Sequence, residues 1–247
     1  MKLKDKITIV TGSSRGIGKA IAKAYAREGA TVIVAARTEQ AGGRLPGTIN
    51  QTVEEIAAFG GRAIPIRTDI GDEAGIEAMV KQTLETFGRI DVLFNNAGIL
   101  FNSLIVDTTL KRWELVMKVN VTGTFLCSRA VLPTMIAQRS GSIINMSSVA
   151  AASTFVGGVH YAVSKAAVER FTFGLAEEVR GANIAVNVLT PGLVKTEAAE
   201  LLMVTNDWTG WESPEVVGPP AVFLAAQTAE TFTGRLVHTE EFGKTWP

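Results

Sequence analysis

Short apolar runs rich in β-branched residues alternate along the chain with longer segments in which apolar residues recur at helical spacing. The predicted strands are Ile7–Val10, Thr31–Ala36, Ala63–Ile66, Ile90–Phe94, Ser142–Met146, Ile184–Leu189 and Arg235–Thr239. The predicted helices are Gly16–Glu28, Thr52–Phe59, Asp72–Phe87, Leu110–Arg139, Tyr161–Val179 and Pro214–Ala226. Strands that are apolar on both faces and separated by helices are typical of a parallel sheet with helices on both sides. The pattern therefore predicts a doubly wound α/β fold of about seven strands, whose ligand crevice lies at the carboxyl ends of the strands.

Three features depart from this alternation. Thr38–Asn50, after the second strand, is a polar loop rich in Gly and Pro, and Leu193–Ser213, after the sixth, combines a short apolar run with Trp208 and Trp211. Pro133 predicts a kink in the long helix. Neither segment resembles a domain linker, so residues 1–247 are predicted to form a single domain, with a substrate lid at about residues 193–213.

The composition excludes several classes of protein. Acidic and basic residues balance at 24 each, which gives no electrostatic footprint for nucleic acid or an anionic membrane. The single Cys127 rules out an internal disulfide and a multi-cysteine metal site, and no metal is expected. The apolar run near the N-terminus is too short for a signal peptide, and no uninterrupted apolar segment is long enough to span a membrane. We therefore expect a cytoplasmic protein.

A glycine-rich loop, Thr11-Gly12-Ser13-Ser14-Arg15-Gly16-Ile17-Gly18, lies between the first predicted strand and helix. Glycines let the backbone turn sharply and present its N–H groups, at the positive end of a helix, to a pyrophosphate. A tight strand-to-helix turn would explain the glycines alone, but the strand before and the helix after favour a dinucleotide site in a Rossmann-like fold.

The end of the second strand bears on which dinucleotide binds. An acidic residue there would accept hydrogen bonds from ribose hydroxyls and favour NAD. This chain has Arg37 instead, and Arg15 lies in the glycine loop, so two guanidinium groups are available for a 2′-phosphate. We expect NADP(H) on the strength of these two arginines. NAD(H) is the alternative, because Glu39 lies close by in sequence and a solvated loop charge would also explain Arg37.

Tyr161 and Lys165 lie four residues apart on a predicted helix and therefore share one face. An ammonium beside a phenol favours the phenolate and is expected to lower the pKa of Tyr161, which suits proton transfer at a carbinol oxygen. A nearby Ser148 hydroxyl would stabilise charge on that oxygen. A tyrosine and lysine at this spacing also occur by chance on solvated helix faces.

The ordered set of motifs resembles the short-chain dehydrogenase/reductase family, classical type, over residues 5 to about 239. The motifs are the glycine loop, Asp69 in Thr68-Asp69-Ile70, Asn95-Asn96-Ala97-Gly98, Asn120 in Lys118-Val119-Asn120-Val121, Ser148, the Tyr161/Lys165 pair, and Pro191-Gly192 with Thr196. The resemblance implies a catalytic tetrad of Asn120, Ser148, Tyr161 and Lys165. The cofactor contacts it implies are Gly12, Ser14, Arg15, Gly16, Ile17, Gly18, Arg37, Asp69, Ile70, Asn96, Ala97, Gly98, Tyr161, Lys165, Pro191, Gly192, Val194 and Thr196.

The resemblance further implies reversible hydride transfer between a nicotinamide and a small-molecule carbonyl or secondary alcohol, in a homo-oligomer (tetramer or dimer). Tyr161 would exchange the proton, Lys165 would also hold the nicotinamide ribose, and Asn120 would position a water. Spacing favours Ser148 over Ser147. His160 is interpreted as a structural or pocket-edge residue, because neighbouring helix residues point in different directions.

Two departures from the family pattern stand out. Val237–Gly243 replaces the family's usual Val-Asp-Gly-Gly-like turn, and the Thr38–Asn50 loop is long, as in relatives that resemble hydroxysteroid-dehydrogenase-like proteins. The candidate pocket walls, Ile99–Asn102, Val149–Val159 and Leu193–Trp211, are mostly apolar or small. They favour an uncharged ketone or alcohol, or an acyl chain on a carrier. A non-catalytic dinucleotide sensor is the rival from another class, and an NAD-linked alcohol dehydrogenase the rival among enzymes.

Overall fold

A computed structural model describes residues 1–43, 45–202 and 207–247. Its strands are β1 (Ile7–Thr11), β2 (Thr31–Ala36), β3 (Arg62–Arg67), β4 (Val92–Asn95), β5 (Gly141–Met146), β6 (Ile184–Thr190) and β7 (Leu236–His238). Its α-helices are α1 (Gly16–Arg27), α2 (Ile49–Ala57), α3 (Glu73–Phe87), α4 (Leu110–Met117), α5 (Gly123–Gln138), α6 (Val159–Val179), α7 (Glu197–Leu202) and α8 (Gly218–Ala225). The predicted strands are confirmed, and so are the predicted helices other than Leu110–Arg139, most with ends shifted by a few residues.

The strands of the described residues form one parallel sheet in the order β3-β2-β1-β4-β5-β6-β7. Alternate strand residues point to opposite faces. Thus Val10 and Val34 join a core with α1, α2 and α8, and Ile9 and Ile33 join a second core with α3, α5 and α6. The doubly wound prediction is confirmed. The strand order reverses between β1 and β4, where such folds place their ligand crevice.

Helix α2 begins earlier than predicted because Thr48 caps it. The Thr48 hydroxyl accepts a hydrogen bond of 3.0 Å from the backbone N–H of Gln51. A capping hydroxyl satisfies one of the free N–H groups at a helix start. The polar loop after β2 therefore ends at Thr48.

The long predicted helix is two helices joined by a π turn, Lys118–Thr122. The chain continues helically through Pro133, the predicted kink position, and departs from α geometry at the π turn. By length and composition the stretch Leu110–Gln138 could cross a membrane. Core helices of soluble proteins pass the same test, and here α5 buries Val131 and Met135 against the sheet.

Candidate active site

The loops after β1, β4, β5 and β6 meet at one edge of the sheet, because the strands are parallel and adjacent. They carry, respectively, the glycine loop, Asn96–Gly98, Ser147 with Ser148, and Pro191–Thr196. Helix α6 brings Tyr161 and Lys165 to the same edge. The fold thus places most of the residues selected from the sequence around one crevice.

The glycine loop packs too tightly against the loop after β4 for any side chain at two of its positions. Gly12 has φ +67°, and a Cβ atom there would lie 2.9 Å from the Cα atom of Ala97. A Cβ atom at Gly18 would lie 2.4 Å from the Gly12 carbonyl oxygen. The Asn96 side-chain amide donates to the carbonyls of Thr11 (2.9 Å) and Gly12 (3.2 Å). The Asn-Asn-Ala-Gly motif thus fixes the conformation of the glycine loop through the Asn96 side chain.

The start of α1 lies within the glycine loop, and no described side chain caps its backbone N–H groups. Its first turn holds no acidic residue. The unpaired N–H groups of a helix start carry the positive end of the helix dipole. This geometry fits a pyrophosphate group.

Arg15 makes contacts that the sequence did not reveal. Its Nε atom donates to the carbonyl of Pro46 (2.6 Å), and its terminal nitrogen donates to the carbonyl of Gly47 (2.9 Å) and the hydroxyl of Thr38 (3.2 Å). Burial lowers the pKa of Arg15, as does neighbouring Arg37, while Glu197 raises it. Arg15 therefore holds the loop after β2 across the glycine loop, whereas Arg37 is exposed at the end of β2.

Asp69 and Ile70 follow β3, the edge strand on the β1 side of the point where the strand order reverses. The Asp69 carboxylate accepts a hydrogen bond of 2.9 Å from the N–H of Gly71 and is exposed. Ile70 is buried against Gly123, where a Cβ atom would lie 2.2 Å from the Ile70 Cγ2 atom. Ile70 thus packs against the first residue of α5.

Asn120 lies inside the π turn and is buried at 1% exposure. Its Oδ1 atom accepts from the N–H of Ile99 (2.8 Å), and its Nδ2 atom donates to the carbonyl of Ile99 (3.0 Å) and to the hydroxyl of Ser164 (2.9 Å). The side chain ties the loop after β4 to α6. Gly98 lies between Asn120 and Lys165, since a Cβ atom there would be 3.4 Å from Asn120 Oδ1 and 3.6 Å from Lys165 Nζ.

The two neighbouring serines have different partners. The Ser148 side chain accepts a hydrogen bond from the N–H of Ala150 (3.2 Å) and is hydrogen-bonded to Tyr161. The buried Ser147 hydroxyl instead donates to the Glu169 carboxylate, at 2.6 Å. Ser148 is therefore the serine that contacts Tyr161, and its catalytic role stays a prediction.

Lys165 is 4% exposed, and its Nζ atom donates to the carbonyl of Met146 (2.7 Å) and lies 5.7 Å from the centre of the Tyr161 ring. Burial lowers the pKa of Lys165 to about 8, although the Glu169 carboxylate acts to raise it. Burial also raises the pKa of Tyr161, against the lowering effect of the Ser148 hydrogen bond. The expectation of a lowered Tyr161 pKa is thus wrong for the protein alone, because burial raises this pKa by more than the Ser148 hydrogen bond lowers it.

Pro191–Thr196 continues from β6 and reaches the glycine loop. Val194 pairs with Glu212 in a short β-bridge. The Thr196 hydroxyl, just before α7, accepts a hydrogen bond from the N–H of Ala199 (3.1 Å) in the first turn of that helix. A Cβ atom at Gly16 would lie 3.2 Å from the Thr196 Cγ2 atom and 3.4 Å from the Glu197 Oε2 atom. Helix α7, which the sequence pattern missed, therefore begins directly against the glycine loop.

The remaining described part of the predicted lid is held by aromatic contacts. Trp208 and Trp211 pack edge to face with ring centres 4.9 Å apart, and Lys195 Nζ lies 5.1 Å from the centre of the Trp208 ring. Met203 and Val204, part of the apolar run predicted there, lie outside the described residues. His160 is buried 6.4 Å from Phe101, ring centre to ring centre.

A buried polar network supports the site from beneath, and the sequence analysis missed it. Asn95 Nδ2 donates to Asn145 Oδ1 (2.8 Å) and to the Ser128 hydroxyl (3.1 Å), and Asn145 Nδ2 donates to the Thr172 hydroxyl (2.9 Å). The network links β4, β5, α5 and α6. Asparagines inside otherwise apolar strands were the available signal, since a buried amide needs partners.

Known proteins are similar to this chain over nearly its whole length. The family model described as short chain dehydrogenase matches residues 6–206. The chain is 36% identical to the 3-oxoacyl-[acyl-carrier-protein] reductase FabG of Thermotoga maritima, over 96% of this chain and 97% of the relative. It is also 36% identical to human hydroxysteroid dehydrogenase-like protein 2, over 98% of this chain but only 58% of that protein's length.

Solved structures of other proteins have the same fold. A Beutenbergia cavernae protein described as an NAD(P) dependent gluconate 5-dehydrogenase, with bound NADP at low occupancy, superposes with a TM-score of 0.87 at 33% identity, over 96% of each chain. A short-chain type dehydrogenase/reductase from Mycobacterium marinum has a TM-score of 0.86 at 33% identity, over 96% of this chain and 94% of that one. The fold and these similarities define an oxidoreductase of the class that uses nicotinamide dinucleotides. The chain belongs to the short-chain dehydrogenase/reductase family.

Proposed function

We propose that this protein is an NADP(H)-dependent carbonyl reductase or alcohol dehydrogenase in which Tyr161 is the general acid and base. One observation carries the proposal: the Ser148–Tyr161 hydrogen bond and the Lys165 ammonium lie at the sheet edge that also holds the glycine loop. A proton donor, an oxygen-binding hydroxyl and a fixed cation are what carbonyl reduction requires beside a dinucleotide.

The proposed roles follow from the contacts. Tyr161 gives its proton to the carbonyl oxygen, and Ser148 donates a hydrogen bond to the same oxygen as charge develops on it. When bound, a nicotinamide would supply the hydride to the carbonyl carbon. Lys165 stabilises the tyrosinate that remains. Because burial raises the Tyr161 pKa in the protein alone, the Lys165 ammonium is the charge proposed to offset it.

Asn120 is proposed as part of the route that returns the proton to Tyr161. Its side chain holds the Ile99 backbone in place, and Gly98 leaves room between Asn120 Oδ1 and Lys165 Nζ. A water between these atoms would connect Lys165 to solvent. Asn120, Ser148, Tyr161 and Lys165 would then act as one catalytic set.

The cofactor is proposed to lie across the glycine loop with its phosphates at the start of α1. Exposed Arg37 is the better candidate for a 2′-phosphate, because Arg15 already binds four groups of the neighbouring loop. The NADP bound to the Beutenbergia cavernae neighbour supports this choice. The ratio of kcat/KM for NADPH and NADH tests it, and a clear preference for NADH would overturn it.

The substrate is proposed to be an uncharged ketone or secondary alcohol, or an acyl chain on a carrier. The candidate walls expose apolar side chains, among them Val149, Phe155, Val156, Val159 and Leu193. Similarity to 3-oxoacyl-[acyl-carrier-protein] reductases supports the acyl version. We propose that residues 193–213 close over this pocket as a lid.

A homo-oligomer in the cytoplasm completes the proposal. Large apolar side chains are exposed on three neighbouring helices: Leu110 and Leu115 on α4, Phe125 on α5 and Val163 on α6. A second copy of the chain would cover them. Light scattering after gel filtration measures the assembly, and a monomer would contradict it.

The decisive experiment is a screen of ketones and alcohols with both cofactors, following absorbance of the reduced nicotinamide. Tyr161→Phe should abolish turnover, with NADPH binding retained in a fluorescence titration. Retained turnover in this variant would refute the proposed acid. Tight NADPH binding with no turnover of any substrate would favour a non-catalytic sensor.

A further inference from the structure

We propose that Glu169 is a positioning residue of the same site: its carboxylate anchors Ser147 at the end of β5 and supplies the negative charge that balances the Lys165 ammonium. The inference rests on the proposed function and extends it to a side chain outside the tetrad. Glu169 lies one helical turn beyond Lys165 on α6, as Lys165 lies one turn beyond Tyr161.

The first part of the argument concerns Ser147. Its buried hydroxyl donates to Glu169 at 2.6 Å, and its backbone N–H donates to the carbonyl of Leu189 at 2.9 Å. Ser147 is thereby fixed to both α6 and β6. The next residue is Ser148, which contacts Tyr161, and the preceding residue is Met146, whose carbonyl accepts from Lys165. Glu169 therefore holds the short segment that orients both of these groups.

The second part concerns charge. Lys165 is almost fully buried, and an ammonium in such surroundings tends to lose its proton. Helix α6 contributes two titratable groups near it, Glu169 and Tyr161. The end of β5 contributes the neutral carbonyl of Met146, and the loop after β4 contributes the backbone of Gly98. Glu169 is thus the anion that favours the charged form of Lys165, and it opposes the lowering of the Lys165 pKa by burial.

Substitutions separate the two effects. Glu169→Gln keeps an oxygen that accepts from Ser147 but removes the charge, whereas Ser147→Ala removes the hydrogen bond but keeps the charge. Glu178→Gln is the matched control, because it removes an exposed carboxylate from the same helix. Unfolding midpoints show whether each variant is folded.

One readout is independent of activity. The ¹³Cε resonance of Lys165, assigned by its loss in Lys165→Met, is titrated by NMR in the protein alone. Glu169→Gln should move the Lys165 titration to lower pH, while Glu178→Gln should leave it in place. An unchanged Lys165 titration in folded Glu169→Gln would overturn the proposal, whatever the activity of the variant.

The pH profile of kcat supplies the second readout. Glu169→Gln should retain activity at pH 6.5 and lose it on the alkaline side at lower pH than the parent, because Lys165 then deprotonates earlier. Ser147→Ala should lower kcat at every pH without moving the profile. A uniform loss of rate in Glu169→Gln would show a merely structural role and overturn the proposal. Failure of the proposed function itself is detected separately, by full turnover in Tyr161→Phe.

Discussion

The Nζ atom of Lys165 donates a 2.7 Å hydrogen bond to the carbonyl oxygen of Met146, the last residue of β5. This bond fixes a buried cation at the carboxyl edge of the sheet, one helical turn from Tyr161. Burying an ammonium costs free energy that one carbonyl and a nearby carboxylate only partly return. The lowered pKa of Lys165, about 8 against 10.5, expresses that cost.

We expect Lys165→Met to abolish turnover and to stabilise the fold at pH 7. The lowered pKa corresponds to about 3 kcal/mol of destabilisation while Lys165 is protonated, so the gain is at most about that size. Denaturant unfolding of the two proteins at pH 7 measures it. A Lys165→Met protein that is active, or less stable than the parent, would contradict this prediction.

The same group predicts a pH dependence with a definite sign. The unfolded chain binds the Lys165 proton up to its ordinary pKa, whereas the folded protein releases it near 8. Between these values the unfolded state holds more protons, so the contribution of Lys165 to the free energy of unfolding rises with pH. The gap in stability between Lys165→Met and the parent should therefore shrink from pH 8 to pH 10. A gap that stays constant over this range would refute the assignment.

Gly98→Ala tests the proposed proton route without disturbing the fold. The added methyl would lie 3.4 Å from Asn120 Oδ1 and 3.6 Å from Lys165 Nζ, which are ordinary contact distances. It would fill the space between the two side chains. We expect an unfolding midpoint close to the parent's and a lower kcat, with the solvent isotope effect on kcat increased. Gly174→Ala, which adds a methyl group in open space on α6, is the control and should leave kcat unchanged.

Arg37→Ala tests the cofactor preference. A lost charge-assisted hydrogen bond to a 2′-phosphate is worth about 1.5–3 kcal/mol, so kcat/KM for NADPH should fall roughly ten- to a hundredfold while that for NADH changes little. Arg62→Ala, an exposed arginine at the opposite end of the neighbouring strand β3, should alter neither. Equal losses with both cofactors would place Arg37 away from the 2′-phosphate.

The strands and most helices were predictable from the chain because their apolar runs match single elements, and parallel strands place their following loops at one edge. Other features depend on contacts between distant segments. The π turn around Asn120 adds a residue to a helical turn that apolar spacing does not register. Arg15 binds carbonyls some thirty residues away, and the Tyr161 pKa is set by burial that only the assembled fold creates. The Ser147–Glu169 bond likewise joins a strand end to a helix.

Glu197→Gln should tighten dinucleotide binding. The Glu197 Oε2 atom is buried without a hydrogen-bond partner among the described residues, and it lies beside Gly16 at the start of α1. A carboxylate there lies at the positive end of α1 and repels an incoming phosphate. Glutamine keeps the shape and removes the charge, so the Kd for NADPH and for NADH should both fall, and the change should shrink at high salt. Glu200→Gln on the same short helix, which pairs with Lys195 at 3.3 Å, is the control and should leave both constants unchanged. Weaker binding in Glu197→Gln would show instead that the carboxylate supports the cofactor site.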